Sequence, residues 1–175
     1  MRWLEPAPLR TVYHVLATGQ EYRNLGVALQ SALYRTERDV LRMNELGARV
    51  RLVKGAYKEP ETVAYQRKAD VDAAFLRLTR VLLDAGTYPA IATHDPAIIE
   101  ATRACAAERG IGKDRFEFQM LYGIRRDLQA ELASDGYPVR LYIPFGREWF
   151  PYFMRRLGER PANLGFVMRG ILRER

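Results

Sequence analysis

Short apolar runs alternate with longer helix-period stretches along this chain. Residues 25–30, 50–53, 89–93, 116–119 and 139–142 are brief, apolar and bounded by Gly, Pro or charged residues. Such runs predict buried strands. Thr36 and Glu37 open a helical stretch whose Val40, Leu41 and Leu46 fall near one face. A second stretch, 71–83, carries Phe75, Leu78 and Leu82 at helical spacing. Asp95-Pro96 reads as an N-cap followed by a proline at the first helical position, leading into Ile98, Ile99, Thr102 and Cys105. A shorter helix, 126–132, stops near Asp135-Gly136. Residues 9–16 predict an N-terminal helix. After Pro161, Asn163 caps a last amphipathic helix through Leu164, Val167, Met168, Ile171 and Leu172.

Strand and helix in alternation predict an α/β chain with a parallel sheet and crossover helices. Two architectures fit: an open doubly wound sheet, or part of an eight-stranded (β/α) barrel. Polar residues recur at the predicted C-terminal strand ends, at Gln30, Lys54, Thr93 with His94, Gln119 and Tyr142. Barrel sites gather at that face from many strands, whereas an open sheet concentrates its site at one switch point. No Gly-x-Gly-x-x-Gly turn follows the first strand, which lowers the open dinucleotide-binding alternative. Five strands do not close a barrel. The expectation is therefore the back half of one, its first strand (25–30) lacking an upstream neighbour.

At 175 residues the chain is expected to be one domain, and 48% hydrophobic with 28% charged residues is ordinary for a globular protein. No run approaches the roughly 20 apolar residues that span a bilayer. The start, Met1 to Pro8, lacks the apolar block of a secretory signal, so a cytoplasmic location is expected. Cys105 is the sole cysteine, which excludes an intrachain disulfide and a thiolate metal site. The net charge of +7 is carried mostly by scattered arginines and comes with no nucleic-acid motif, so no nucleic-acid partner is expected.

Four segments carry candidate chemistry. In Arg51-Leu-Val-Lys54-Gly-Ala-Tyr57 a buried strand ends at Lys54, and Gly55-Ala56 leave room for a ligand against the backbone. Two cations there suit a phosphate or an electron-rich ring; equally, they could pair with neighbouring carboxylates, or Lys54 could form a Schiff base with a carbonyl substrate. Thr93-His94-Asp95 places a histidine at another strand end, as acid, base, ligand contact or plain partner of buried backbone groups. With no cysteine or paired carboxylate beside it, no metal site is expected. In Phe116-Glu-Phe-Gln119-Met-Leu121-Tyr122, Glu117 and Gln119 share a parity and could both point inward, while Leu121 and Tyr122 fall at the rim. In the run from Tyr142 to Arg160, Arg155 and Arg156 are adjacent cations on a helical pattern with Glu159. Two neighbouring guanidiniums suit a two-pronged grip on a small carboxylate, and a surface salt-bridge ladder is the plainer alternative.

Taken in order, Leu-Gln30-Ser-Ala-Leu-Tyr, Arg-Leu-Val-Lys54-Gly-Ala-Tyr, Ala-Thr93-His94-Asp, Phe-Glu-Phe-Gln119-Met-Leu121-Tyr-Gly and the Tyr142 to Arg160 run resemble proline dehydrogenase, the flavoenzyme of proline catabolism. The resemblance covers nearly the whole chain from about Leu9 onward. It implies a distorted (β/α)8 barrel, of which residues 1–175 would be the C-terminal portion, about strands four to eight. It implies FAD contacts from Gln30, Arg51, Val53, Lys54, Gly55, Ala56, Thr93, His94, Gln119 and Glu159, with Tyr57 near the flavin. Tyr142, Arg155 and Arg156 would bind L-proline, the arginines on its carboxylate, with Leu121 and Tyr142 walling the ring. Arg51, Tyr142, Arg155 and Arg156 would be the catalytic set. The implied reaction oxidises proline to 1-pyrroline-5-carboxylate by hydride transfer to the flavin, with electrons passed to a quinone. Peripheral contact with a membrane face and self-assembly into a homo-oligomer are further expectations. A lysine and an aspartate that the family places on earlier strands have no counterpart here. The alternative is a catalytically inactive half-barrel serving as an assembly or binding module.

Overall fold

Among the described residues, six parallel strands lie side by side in the order in which the chain makes them. The computed structural model describes residues 2–4, 25–55, 59–143, 145 and 146. The strands are β1 (Arg2–Leu4), β2 (Leu25–Gln30), β3 (Arg49–Val53), β4 (Ala90–Ala92), β5 (Glu117–Leu121) and β6 (Val139–Tyr142). The described helices are α1 (Thr36–Glu45), α2 (Lys68–Ala85), α3 (Pro96–Glu108) and α4 (Arg126–Ser134), with a 3₁₀ turn at Lys113–Arg115. Strictly sequential order settles the choice between the two architectures. A doubly wound sheet must reverse its strand order to cover both faces. Right-handed crossovers that always step the same way keep every helix on one face, as in a (β/α) barrel. The chain is part of such a barrel.

Strand parity agrees with that geometry. Val27 and Leu29, Val50 and Leu52, Ile91, and Phe118 and Met120 all belong to one apolar core with α1 to α4. Val40 and Met43 from α1, Phe75 and Leu82 from α2, Ile98 from α3 and Leu132 from α4 close it from the helix side. The alternate residues, including Arg51, Ala90, Glu117, Gln119 and Arg140, project to the opposite, inner face.

The structure amends the sequence expectations at several places. The strand at 25–30 is not an unpaired edge: β1 pairs with it in parallel, Trp3 opposite Gly26 and Leu4 opposite Val27. At three residues, β1 is too short for a periodicity to be read. In α1, Leu41 is 51% exposed while Met43 is fully buried. The 36, 40, 43 spacing follows the 100° helical step, and Leu41 lies one step off that stripe. β5 runs on to Leu121, and Phe116 is a buried residue just before it. Asp95 does cap α3, its Oδ1 accepting from the Ala97 N–H at 3.1 Å with Pro96 beside it. The expected helices at 9–16 and after Asn163 lie outside the described residues. No described helix is long and apolar enough to cross a membrane.

Candidate functional site

Because all strands run the same way, their C-terminal ends bring Gln30, Val53, Lys54, Gly55, Thr93, His94, Leu121 and Tyr142 to one rim. The rim is continued by backbone bonds past the strands, Ser31 N–H to Val53 O at 2.8 Å and Tyr122 N–H to Tyr142 O at 3.0 Å. Ala56, Tyr57, Arg155, Arg156 and Glu159 lie outside the described residues.

Gln30 and Gly55 meet across the β2/β3 edge. Gly55 has φ +107°, and a Cβ there would sit 2.8 Å from Gln30 Oε1. Only glycine lets the chain turn here with the amide this close. Gln30 Oε1 is buried and accepts no hydrogen bond among the described residues. A buried acceptor without a donor is costly, and a ligand N–H or O–H would relieve it. Gly55→Val is expected to cost about 1–3 kcal/mol through the forced positive φ. Urea denaturation would measure it, and an unchanged midpoint would contradict the close approach.

Lys54 follows the outward parity of Val50 and Leu52, toward the helix layer. Its Nζ lies 2.6 Å from Asp72 Oδ1 and 2.8 Å from Asp95 Oδ2, at the starts of α2 and α3. Lys68 also pairs with Asp72 and reaches Asp95 at 3.8 Å. Burial works to raise both carboxyl pKa values, but the lysine hydrogen bonds and charges outweigh it and hold both below the ordinary range. The carboxylate-paired alternative thus describes the Lys54 side chain. An ammonium clamped between two carboxylates is poorly placed to act as an amine nucleophile, so the Schiff-base reading loses its physical basis.

Thr93 is buried, and its Oγ1 accepts from the Asp95 N–H at 3.1 Å. His94 Nε2 accepts the Leu121 N–H at 2.8 Å, which ties the end of β5 to the end of β4. Its pKa is lowered to about 4, first by burial and then by the positive charges of Arg125 and Arg51. At neutral pH the ring is neutral, and with Nε2 accepting, Nδ1 carries the proton and is a donor. Leu121 is pinned twice, since Gln129 Nε2 on α4 donates to its carbonyl at 3.0 Å and to the Ile124 carbonyl at 2.7 Å. Tyr122, by contrast, is 56% exposed.

Arg51 and Gln119 meet on the inner face, Nε donating to Oε1 at 2.7 Å. They sit on β3 and β5, with β4 between them, and they touch because β4 presents only Ala90 and Ala92 on that face. Gln119 Nε2 in turn donates to Glu117 Oε1 at 2.6 Å, and Arg140 donates to both Glu117 oxygens at 2.8 Å. Burial pushes the Glu117 carboxyl up, yet the Arg140 and Gln119 hydrogen bonds prevail and keep it lowered. Sequence reasoning had the shared inward parity of Glu117 and Gln119 but not Arg140, Asp72 or Gln129, and it read Asp95 as a helix cap without its pairing to Lys54. For Gln129 a signal was available: it is a polar residue flanked by Leu128 and Leu132 on the buried stripe of α4.

A sequentially wound parallel barrel with cations, a neutral histidine and an orphaned amide oxygen at its C-terminal rim belongs to the ligand-binding (β/α) barrels, whose sites lie at that face. The comparisons narrow this further. The family model described as proline dehydrogenase matches residues 3–169, and the chain belongs to that family. It is 53% identical over 150 residues to the proline dehydrogenase of Deinococcus radiodurans, covering 86% of this chain and 48% of that protein. To proline dehydrogenase 1 of Bacillus subtilis strain 168 it is 50% identical over 155 residues, covering 89% of this chain and 51% of the relative. The chain thus spans about half the length of the curated relatives it matches. Among solved structures, proline utilization A from Bdellovibrio bacteriovorus, inactivated by N-propargylglycine, superposes with a TM-score of 0.79 at 29% identity. The match covers 89% of this chain and 19% of that one. Bradyrhizobium japonicum proline utilization A gives 0.78 at 28% identity, covering 96% and 20%.

Proposed function

We propose that this chain forms the C-terminal portion of a proline dehydrogenase barrel and holds FAD at its rim for the oxidation of L-proline. The observation that carries the reading is the unpartnered, buried Gln30 Oε1 held against Gly55, beside the inward Arg51. That donor and acceptor set fits a flavin, whose ring system offers N–H and carbonyl groups. When bound, FAD supplies the hydride acceptor that turns proline into 1-pyrroline-5-carboxylate.

The residues of this chain then have distinct tasks. Gln30 accepts a hydrogen bond from the cofactor, and neutral His94 offers Nδ1–H as a donor. Arg51 would place a positive charge at the cofactor site, where it would favour added negative charge on the flavin. Val53, Lys54, Gly55 and Thr93 form the backbone wall at the ends of β3 and β4, and Ala56, Tyr57 and Glu159 are the further cofactor contacts of this reading. Lys54, committed to Asp72 and Asp95, contributes chiefly by fixing that wall. Leu121, tied by His94 and Gln129, and Tyr142 flank the proline ring. Arg155 and Arg156 grip its carboxylate, so catalysis by the protein is chiefly positioning. A quinone is the electron acceptor in this reading, and the protein works in the cytoplasm, touching a membrane face peripherally.

Anaerobic addition of proline to the FAD-loaded protein tests this: bleaching of the flavin absorbance is expected. A loaded, folded protein whose flavin stays oxidised would instead favour the binding-module alternative. Arg156→Lys is expected to raise the proline dissociation constant at least about 10-fold, because the fork geometry is lost. FAD affinity should hardly move, and equal losses would contradict the carboxylate role.

A further inference from the structure

We propose that Glu117 is a positioning residue that fixes the direction of the Arg51 guanidinium through the Gln119 amide. The inference rests on the flavin reading of Arg51 but is carried by its own geometry. An unbroken inner-face chain runs from Arg140 to Glu117, Gln119 and Arg51, with its bonds at 2.8, 2.6 and 2.7 Å. Direction along it is dictated by chemistry. Glu117 is ionised, its carboxyl lying below the usual range, so both oxygens can only accept. Gln119 must therefore turn its NH₂ toward Glu117, which leaves its carbonyl, and only that, facing β3. A flipped amide would set its carbonyl oxygen against the Glu117 carboxylate and its NH₂ against the Arg51 Nε–H. The carbonyl thus captures Nε and sets the direction of the Arg51 guanidinium.

Burial supplies the stiffness. The Glu117 side chain is 3% exposed, whereas its partner Arg140 is 49% exposed. Gln119 is buried too. A buried carboxylate paired to a half-solvated arginine is an expensive arrangement for stability alone, and apolar residues often replace such pairs at no loss. Here the pair occupies the inner face beside Ala90, which has no side chain long enough to reach Gln119 or fill the gap. The carboxylate is the group that orders the amide, and the amide orders Arg51.

The test uses the full chain and the side-chain Nε–H resonance of Arg51, read by NMR hydrogen exchange with no flavin present. Glu117→Leu removes the acceptor that orients the Gln119 amide and is expected to speed Arg51 Nε–H exchange at least about 10-fold, because the Gln119 carbonyl is no longer held against Nε. Glu117→Gln keeps one acceptor oxygen for Gln119 while losing the charge, so exchange should stay within about 3-fold of the parent. Leu132→Ala, a core change on the helix side, controls for general loosening and should leave the Arg51 resonance in place. Unchanged exchange in Glu117→Leu would overturn the proposal. So would exchange in Glu117→Gln at least about 10-fold faster than in the parent while Leu132→Ala stays near it, an outcome readable even if Glu117→Leu does not fold. With FAD bound, the flavin midpoint potential should fall in Glu117→Leu and hold in Glu117→Gln. A parent chain that takes up no FAD sinks the cofactor reading, and the Arg51 resonance then judges the positioning claim by itself.

Discussion

Truncating Phe118 to alanine is expected to destabilise the fold by about 3–5 kcal/mol, the range for a fully buried aromatic. Its side chain has no solvent exposure and meets Phe116 and Tyr137 edge-on, each at a centroid distance of 5.6 Å. It stands in the register row between Ile91 on β4 and Val139 on β6, so the cavity would open in the middle of the sheet. Because Phe118 lies between Glu117 and Gln119, loosening β5 there also loosens the inner-face chain. Leu41→Ala supplies the contrast. At 51% exposure Leu41 should cost no more than about 0.5 kcal/mol, despite its place in an apolar-looking stretch. Equilibrium urea unfolding of both variants measures the difference, and similar midpoints would contradict the helix stripe described here.

The second large effect is a loss of stability on mild acidification. His94 has its pKa lowered from 6.5 to about 4, so the folded state resists a proton that the unfolded chain takes up readily. The stabilisation is fully present above pH 6.5, drains away between there and about 4, and is gone below. The shift corresponds to roughly 3 kcal/mol at most, at 1.36 kcal/mol per pKa unit. Asp72, Asp95 and Glu117 also have lowered pKa values, but their contributions are lost only as pH falls through values below 3.8 for the aspartates and 4.5 for the glutamate. The His94 window therefore lies above theirs. Unfolding free energy followed from pH 7 to 4.5 should decline in the parent and lose most of that slope in His94→Gln. An identical slope in both would contradict a buried, neutral His94.

Much of the architecture was legible because period and parity are strong signals. Five of the six described strands, the α3 cap at Asp95-Pro96 and the inward pair Glu117 and Gln119 follow from spacing alone. Polar strand ends pointed to the barrel rim, and the sequential strand order bears that out. What escaped is what depends on long-range pairing. β1 is visible only through its register with Leu25, Gly26 and Val27. The destination of Lys54 depends on two aspartates, 18 and 41 positions away, that helices α2 and α3 carry to the rim. Arg140 reads as an ordinary charged residue on a largely exposed strand until Glu117 is found opposite it. Leu41 misled because apolarity was weighed without its angular position.

The central claim, that the rim formed by Gln30, Arg51, Gly55 and His94 is a flavin site, is most directly tested by titrating FAD into the folded chain. Flavin fluorescence should be quenched saturably, with close to one FAD per chain, and Gly55→Val, which drives a side chain into Gln30, should weaken the binding at least about 10-fold. A folded, colourless protein that leaves flavin fluorescence unquenched, or one that binds FAD equally well in the Gly55 variant, would contradict it.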